Sequence, residues 1–149
     1  MLYPNKRLLF TIEAVLDIAY YGSALPVQSG DISHRQGIPK RYLEQSLQHL
    51  VRDGILSGLR GPRGGYKLAR SPQEITLGQI VRSVISAEGN EDELAGGSAL
   101  GLNILRPVFQ HLQNVMIIRL DELTLTDLCA RAKEAGIKRE SDLRLDFTI

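Results

Sequence analysis

The chain has 149 residues, of which 43% are hydrophobic, enough for one compact domain with a real core. Its apolar runs fall short of the roughly 18 residues that a membrane span needs, and its first residues lack a secretory signal pattern. We therefore expect a cytoplasmic protein with no membrane partner. A single cysteine, Cys129, excludes an intramolecular disulfide framework and a zinc site built from several thiolates.

The net charge of +1 conceals an asymmetry between the two halves of the chain. Residues 1–70 hold ten Lys and Arg against five Asp and Glu, whereas residues 71–149 hold eight against twelve. This distribution favours a polyanionic partner, such as nucleic acid, for the first half only.

Two helices are predicted before residue 37. Residues 5–21 place apolar side chains at helical spacing, which indicates a first helix that contributes to the core. After a loop that contains Pro26, Ser29 is expected to cap a short helix leading to a turn at Gly37. With the helix that follows, this order predicts a helix-turn-helix.

The third predicted helix covers residues 39–53, with Pro39 in its first turn and Gly54 just beyond its end. Its leucines share one face, while polar side chains occupy the other. Lys and Arg can bond guanine, Gln can bond adenine and a carboxylate can accept from cytosine, so this face suits base recognition in a major groove. A merely solvated face would show the same pattern. The polar residues are Lys40, Arg41, Glu44, Gln45, Gln48 and Arg52.

Next comes a predicted β-hairpin, because residues 55–59 and 66–69 favour strands and flank the sequence RGPRGG. Gly61 and its neighbouring glycines let the main chain approach a partner closely. Arg60 and Arg63 suit insertion into a minor groove or pairing with phosphate. A nucleotide-binding loop is the alternative, but neither GxGxxG nor GxxxxGK[ST] is present.

The acidic half begins with a helix that Thr76 is expected to cap and that runs to about residue 86. Residues 87–101 lack an apolar period and predict an acidic connecting loop. Residues 103–123 regain helical spacing over about six turns, provided that Pro107 lies in the first turn or kinks the helix. Such a long amphipathic helix favours pairing with a second copy, although an ordinary intrachain helix is the alternative.

Thr124 and Asp127 predict a capped last helix through residue 135, closed by Gly136, and residues 137–149 receive no function. The predicted fold is mainly α with a small hairpin. The predicted organisation is a winged helix-turn-helix domain in residues 1–86, the connecting loop in residues 87–101, and a region with the dimerisation helix, last helix and tail in residues 102–149.

Five segments in this order, DISHRQGI, YLEQ, RGPRGGYKLA, ITLGQIVRSV and LTLTDL, resemble the Rrf2 family of transcriptional regulators, most closely its IscR-like branch. The resemblance implies a dimeric winged-helix repressor or activator that binds a palindromic operator in double-stranded DNA. It assigns base recognition to the helix residues and a minor-groove contact to Arg60. By position, the base-reading residues are Arg41, Tyr42, Glu44 and Gln45.

The resemblance also shows departures. Pro39 and Arg41 stand where IscR-like proteins have small polar residues, and Arg63 stands where the wing usually has glycine. Members that bind an iron–sulfur cluster place three cysteines and a further ligand such as histidine in the loop and at the start of the long helix. Here the matching positions near residues 103 and 106 are Asn103 and Arg106. We therefore expect no cofactor and leave a different effector at residues 87–101 open.

Other functions receive less support from the sequence. Cys129 has a possible redox role, but a lone cysteine in a helix is more often a small buried residue. One cysteine and three scattered histidines do not form a catalytic or metal-ligating set, so we expect no enzyme activity. A winged-helix module that binds a protein and does not read DNA remains the alternative function.

Overall fold

The computed structural model describes residues 3–22, 25–88 and 97–139. Six α-helices and one two-stranded antiparallel sheet account for most of this part of the chain, and a short π-helical turn precedes the fifth helix. The predicted fold class is confirmed. The elements are α1 Lys6–Tyr21, α2 Ser29–Gln36, α3 Lys40–Arg52, β1 Leu56–Leu59, β2 Gly65–Leu68, α4 Leu77–Glu88, the π-helical turn Gly101–Leu105, α5 Arg106–Leu120 and α6 Leu125–Glu134.

A buried carboxylate fixes α2 against α1. The side chain of Asp17 is fully enclosed and accepts two hydrogen bonds from Arg35, at 2.8 and 2.9 Å, and one from Gln36 at 2.8 Å. The Arg35 guanidinium also lies 4.7 Å from the ring centre of Tyr21, a cation–π distance. Because a buried charge is tolerated only when it is paired and hydrogen-bonded, this network sets the angle at which α2 leaves α1.

The core explains the position of α3. Its leucines at residues 43, 47 and 50 are at most 1% exposed and pack with Ile32, Ile38 and Ile80 in one apolar cluster. Burying each such side chain contributes roughly 1.5–3 kcal/mol, which makes this face the main anchor of the helix. The opposite face is consequently held towards solvent.

The corner between α5 and α6 is joined to the start of α4 by main-chain hydrogen bonds. The Leu77 N–H donates to the Leu123 carbonyl at 2.8 Å, and the Leu125 N–H donates to the Ile75 carbonyl at 2.9 Å. Thr76 and Thr124 therefore face each other as an antiparallel bridge. We call this contact between residues 75–78 and 121–125 the α4–α6 bridge.

Side chains reinforce the α4–α6 bridge. Arg82 donates two hydrogen bonds to the Asp121 carboxylate, at 2.5 and 2.6 Å, and lowers the pKa of Asp121 below its ordinary value. Gly78 packs so closely beneath this corner that an added Cβ would lie 2.8 Å from the Asp121 backbone nitrogen. Only a residue without a side chain permits this approach.

The structure confirms several local predictions. Thr124 and Asp127 form a complete capping box, the Thr76 hydroxyl accepts from the Gln79 N–H, and Gly54 and Gly136 have positive φ angles of 74° and 79°. These residues therefore begin and end the helices in the way that their positions in the sequence indicate.

Other boundaries differ from the prediction. Ser29 is the first residue of α2, and Gln28 is its cap, because the Gln28 carbonyl accepts the first helical hydrogen bonds. The predicted helix over residues 103–123 divides into the π-helical turn and α5, with Pro107 in the first turn of α5. α5 ends at Leu120 because the chain must reverse to form the α4–α6 bridge. Of the predicted acidic loop 87–101, residues 87–88 belong to α4 and Gly101 begins the π-helical turn, whereas residues 89–96 and the tail residues 140–149 lie outside the described residues.

Gly78→Ala tests the close packing at the α4–α6 bridge. Alanine normally stabilises a helix relative to glycine by up to about 1 kcal/mol, but here its Cβ would overlap Asp121, so we expect a net loss of about 1–3 kcal/mol in the free energy of unfolding. Denaturant unfolding measures the change. Gly30→Ala in α2 is the matched control, because a Cβ there meets nothing within 4 Å. Equal stabilisation by both substitutions would contradict the packing described here.

Candidate nucleic-acid interface

The outward face of α3 carries an unbroken set of exposed polar side chains. Burial of its leucines on one side turns this face to solvent. Three of its charged residues are basic and one, Glu44, is acidic. The face therefore combines positive charge with donors and acceptors that can meet base edges. Its exposed residues include Lys40, Arg41, Tyr42, Glu44, Gln45, Gln48 and Arg52.

Arg41 and Tyr42 form a pair in the first turn of α3. The Arg41 guanidinium lies 5.4 Å from the centre of the Tyr42 ring, and the Tyr42 residue is 46% exposed. A cation–π contact restricts the conformations of the long arginine side chain without using its hydrogen-bond donors. Arg41 thus has a favoured position in which its guanidinium group is still available to a partner.

The hairpin that follows α3 is a short wing. Leu56 pairs with Leu68 and Leu59 pairs with Gly65, which leaves residues 60–64 as the loop at its tip. Gly61 has a φ of 103°, a conformation that side chains disfavour. Arg60 and Arg63 are exposed in this loop.

The chain segment at Val27 forms main-chain hydrogen bonds with the wing. Val27 pairs with Tyr66 through two main-chain hydrogen bonds of 2.8 Å, so that the chain entering α2 lies along β2. Gly65 permits this approach, because an added Cβ there would lie 2.5 Å from the Val27 carbonyl oxygen. The wing therefore holds a fixed position relative to α2 and α3.

A polar groove of about 570 Å³ lies between the wing, α3 and the start of α2. The structure brings Lys40 and Gln48 of α3 to this groove together with Arg60 and Gly61 of the wing. Arg41, Tyr42, Glu44 and Gln45 lie along the same helix, and Arg63 lies in the wing loop beside it. All nine residues proposed from the sequence for DNA binding are exposed.

The groove also contains residues that sequence reasoning did not select. Gln28 and Ser29 line it at the start of α2, and Gln28 donates a hydrogen bond to the Pro62 carbonyl at 3.4 Å. Their position depends on the pairing of Val27 with Tyr66, which joins distant parts of the sequence. The β-branched Val27 after Pro26 was the available signal, but it did not identify a partner strand.

A second exposed surface lies on α5 and the turn before it. Leu105, Val108, Leu112 and Val115 recur at steps of three, four and three residues, and each is 45–55% exposed. We call these four residues the outer stripe. Such spacing is typical of a helix seam that packs against another helix, and an apolar run of this length is seldom left in water.

The residues present supply few ligands for an iron–sulfur cluster. The chain supplies one cysteine, whereas clusters are held chiefly by several thiolates. Cys129 is half-buried in α6, and burial raises the pKa of its thiol, which keeps it in the weakly reactive protonated form. In residues 3–22, 25–88 and 97–139 no three His, Cys, Asp or Glu side chains cluster as metal ligands. The donor set does not fit a cysteine-ligated cluster.

A protein-family model described as "Rrf2: Iron-dependent Transcriptional regulator" matches residues 5–131 of the chain. The chain belongs to the Rrf2 family. Among curated relatives, the HTH-type transcriptional regulator IscR of Pectobacterium carotovorum is 32% identical over 94% of this chain and 92% of its own length. IscR of Escherichia coli is 34% identical over 80% of this chain and 75% of its own length.

Solved structures agree with this family fold. IscR of T. potens superposes with a TM-score of 0.72 at 27% identity, covering 93% of this chain and 94% of its own. CymR, the global cysteine regulator of B. subtilis, superposes with a TM-score of 0.67 at 24% identity over 88% and 98% of the two chains, which shows similarity of fold. The two curated relatives are named as transcriptional regulators. In the described part of this Rrf2 protein, no helix is long and apolar enough to cross a membrane.

Proposed function

We propose that this Rrf2-family protein is a homodimeric, sequence-specific DNA-binding regulator that acts in the cytoplasm without an iron–sulfur cluster. Each protomer would place the first turns of α3 in a major groove and the wing loop in the adjacent minor groove. Two copies would engage a palindromic operator, as the family's activity implies. The observation that carries this proposal is the polar groove between α3 and the braced wing, lined by Lys40 and Arg60.

Roles within the interface follow from side-chain chemistry. Lys40, at the groove, has a single ammonium group and suits a phosphate contact, which positions the protein without reading sequence. Arg41, Glu44 and Gln45 lie in the first turns of α3, where a recognition helix contacts base edges. Arg60 and Arg63 lie in the exposed wing loop, and we propose that they enter a minor groove or pair with phosphate.

The outer stripe supports the proposed homodimer. An isologous pair of α5 helices would bury the same four apolar residues on both copies. Because each side chain is about half exposed in one protomer, pairing would remove substantial apolar surface from water.

The side chains at the ligand positions are the reason for proposing that the protein holds no iron–sulfur cluster. The positions near 103 and 106, where cluster-binding members have ligands, hold Asn103 and Arg106, and neither side chain supplies a thiolate or imidazole. The proposed regulator would therefore respond to a different signal. Absorption spectroscopy of protein purified without exposure to air is the direct check, and a visible cluster band would overturn this part.

Variants Lys40→Ala and Glu44→Ala separate phosphate contact from base reading. We expect Lys40→Ala to weaken binding to all duplexes alike and to lower the slope of log affinity against log salt by about 1, through loss of one released counterion. Glu44→Ala should leave that slope unchanged and alter base preference at one operator position. Fluorescence anisotropy over a salt series, combined with selection from random duplexes, measures both effects.

Two results would contradict the proposed roles of Lys40 in phosphate contact and Glu44 in base reading. Identical behaviour of the two variants would remove the distinct roles of Lys40 and Glu44. If the wild-type protein enriches no duplex even at low salt, sequence-specific binding is wrong, and the alternative of a protein-interaction module is favoured.

Leu112→Lys tests the dimer surface. A lysine in the outer stripe would have to bury its charge at the interface, so we expect the protein to become monomeric and to bind operator DNA at least tenfold more weakly. Size-exclusion chromatography with light scattering measures the mass. Ile118→Lys is the matched control, because Ile118 is 58% exposed but lies on average about 100° around α5 from the stripe residues. A dimeric Leu112→Lys variant would exclude the outer stripe as the interface.

A further inference from the structure

An apolar pocket of about 270 Å³ lies between α5 and the winged-helix part of the same chain. α1, α4 and α5 each contribute walls to it. No charged side chain is among the described residues that line it, and Gln113 supplies the polar side chain. Representative lining residues are Leu8, Ile12, Val81, Ile85, Met116 and Ile117.

The dimensions and chemistry of the pocket define a class of ligand. An engineered protein cavity of about 150 Å³ accommodates benzene, and drug-sized ligands occupy pockets of about 300–1,000 Å³. A pocket of 270 Å³ therefore suits a compound of one or two rings. A charged ligand would lose its hydration without gaining a counter-charge, so the almost wholly apolar lining favours a neutral ligand.

The pocket lies on a different side of α5 from the outer stripe. At 100° per residue, Gln113 and Leu120 lie on average roughly 110° around α5 from the stripe, on the side that faces α1 and α4. Met116 borders both surfaces. A second copy seated on the outer stripe would therefore leave most of the pocket between α5 and its own protomer unfilled.

We propose that this pocket binds a small neutral apolar molecule of one or two rings, and that binding changes how α5 is held against the winged-helix part. Leu77 connects the pocket to the α4–α6 bridge, because this residue lines the pocket and its N–H donates to the Leu123 carbonyl in the bridge. The regulatory half of this proposal, an effect of the ligand on DNA binding, rests on the proposed DNA-binding function. The binding half, occupation of the pocket, does not, since it can be measured on the protein without DNA.

Indole is the probe for binding, because it is neutral and bicyclic. Indole is titrated into the full chain, and NMR signals of methyl groups are recorded. The signals of Leu8, Val81 and Ile85 should shift in a saturable manner. Ile85→Phe, which fills the pocket, should weaken indole binding at least tenfold, and Leu9→Phe is a second filling variant should the first not fold. Ile118→Phe is the matched control outside the pocket and should bind indole as the wild type does.

No saturable shifts in the wild type would overturn the ligand site. If the wild type binds no indole and Ile85→Phe converts the dimer to a monomer, a second copy covers the pocket and the proposal is wrong.

The regulatory half is tested by operator affinity with and without saturating indole. We expect the apparent dissociation constant for DNA to change at least threefold in the wild type and to stay constant in Ile85→Phe. Unchanged DNA affinity in an indole-saturated wild type would overturn the coupling. Failure to bind any DNA would instead identify the proposed DNA-binding function as the error, because indole binding is observed separately.

Discussion

The α4–α6 bridge determines how the outer stripe of α5 is positioned relative to the surface formed by α3 and the wing. Two main-chain hydrogen bonds, the Arg82–Asp121 ion pair and the close approach at Gly78 join the end of α5 to the beginning of α4. Because α4 packs on α1 and α3 through the core, this contact fixes the outer stripe relative to α3 and the wing. In the proposed dimer it would therefore set the distance between the two DNA-binding surfaces.

In the candidate nucleic-acid interface, α3 and the wing are held in place by different interactions. Apolar burial orients α3, whereas the wing is held by main-chain pairing with Val27 and by the glycine that permits it. Asp17 and its partners place α2, whose first residues border the groove. A polar surface that is supported in this way can present its side chains with little ordering cost when a partner binds. The apolar pocket adjoins the α4–α6 bridge, which gives the proposed ligand a position from which to alter that geometry.

Local sequence signals predicted much of this structure, and non-local contacts explain what they missed. The periodic leucines of α3, the glycine-rich wing and the Thr124–Asp127 cap act over a few residues, so their sequence spacing predicts the local structure. The pairing of Val27 with Tyr66 and the packing of Gly78 against Asp121 join distant segments. The split of the long helix has the same origin, because the bridge to Thr76 determines where α5 must end. The base-reading roles of the α3 residues remain predictions.

In the proposed dimer, two winged-helix units are held rigidly on paired α5 helices and bind a two-fold DNA site. The sequence of duplexes that the wild-type protein recovers from a random pool tests this arrangement most directly. A rigid dimer of this kind should recover an inverted repeat whose half-sites lie one helical turn, about 10–10.5 base pairs, or a multiple of it apart. Enrichment of a single asymmetric half-site, or of half-sites with variable spacing, would contradict it.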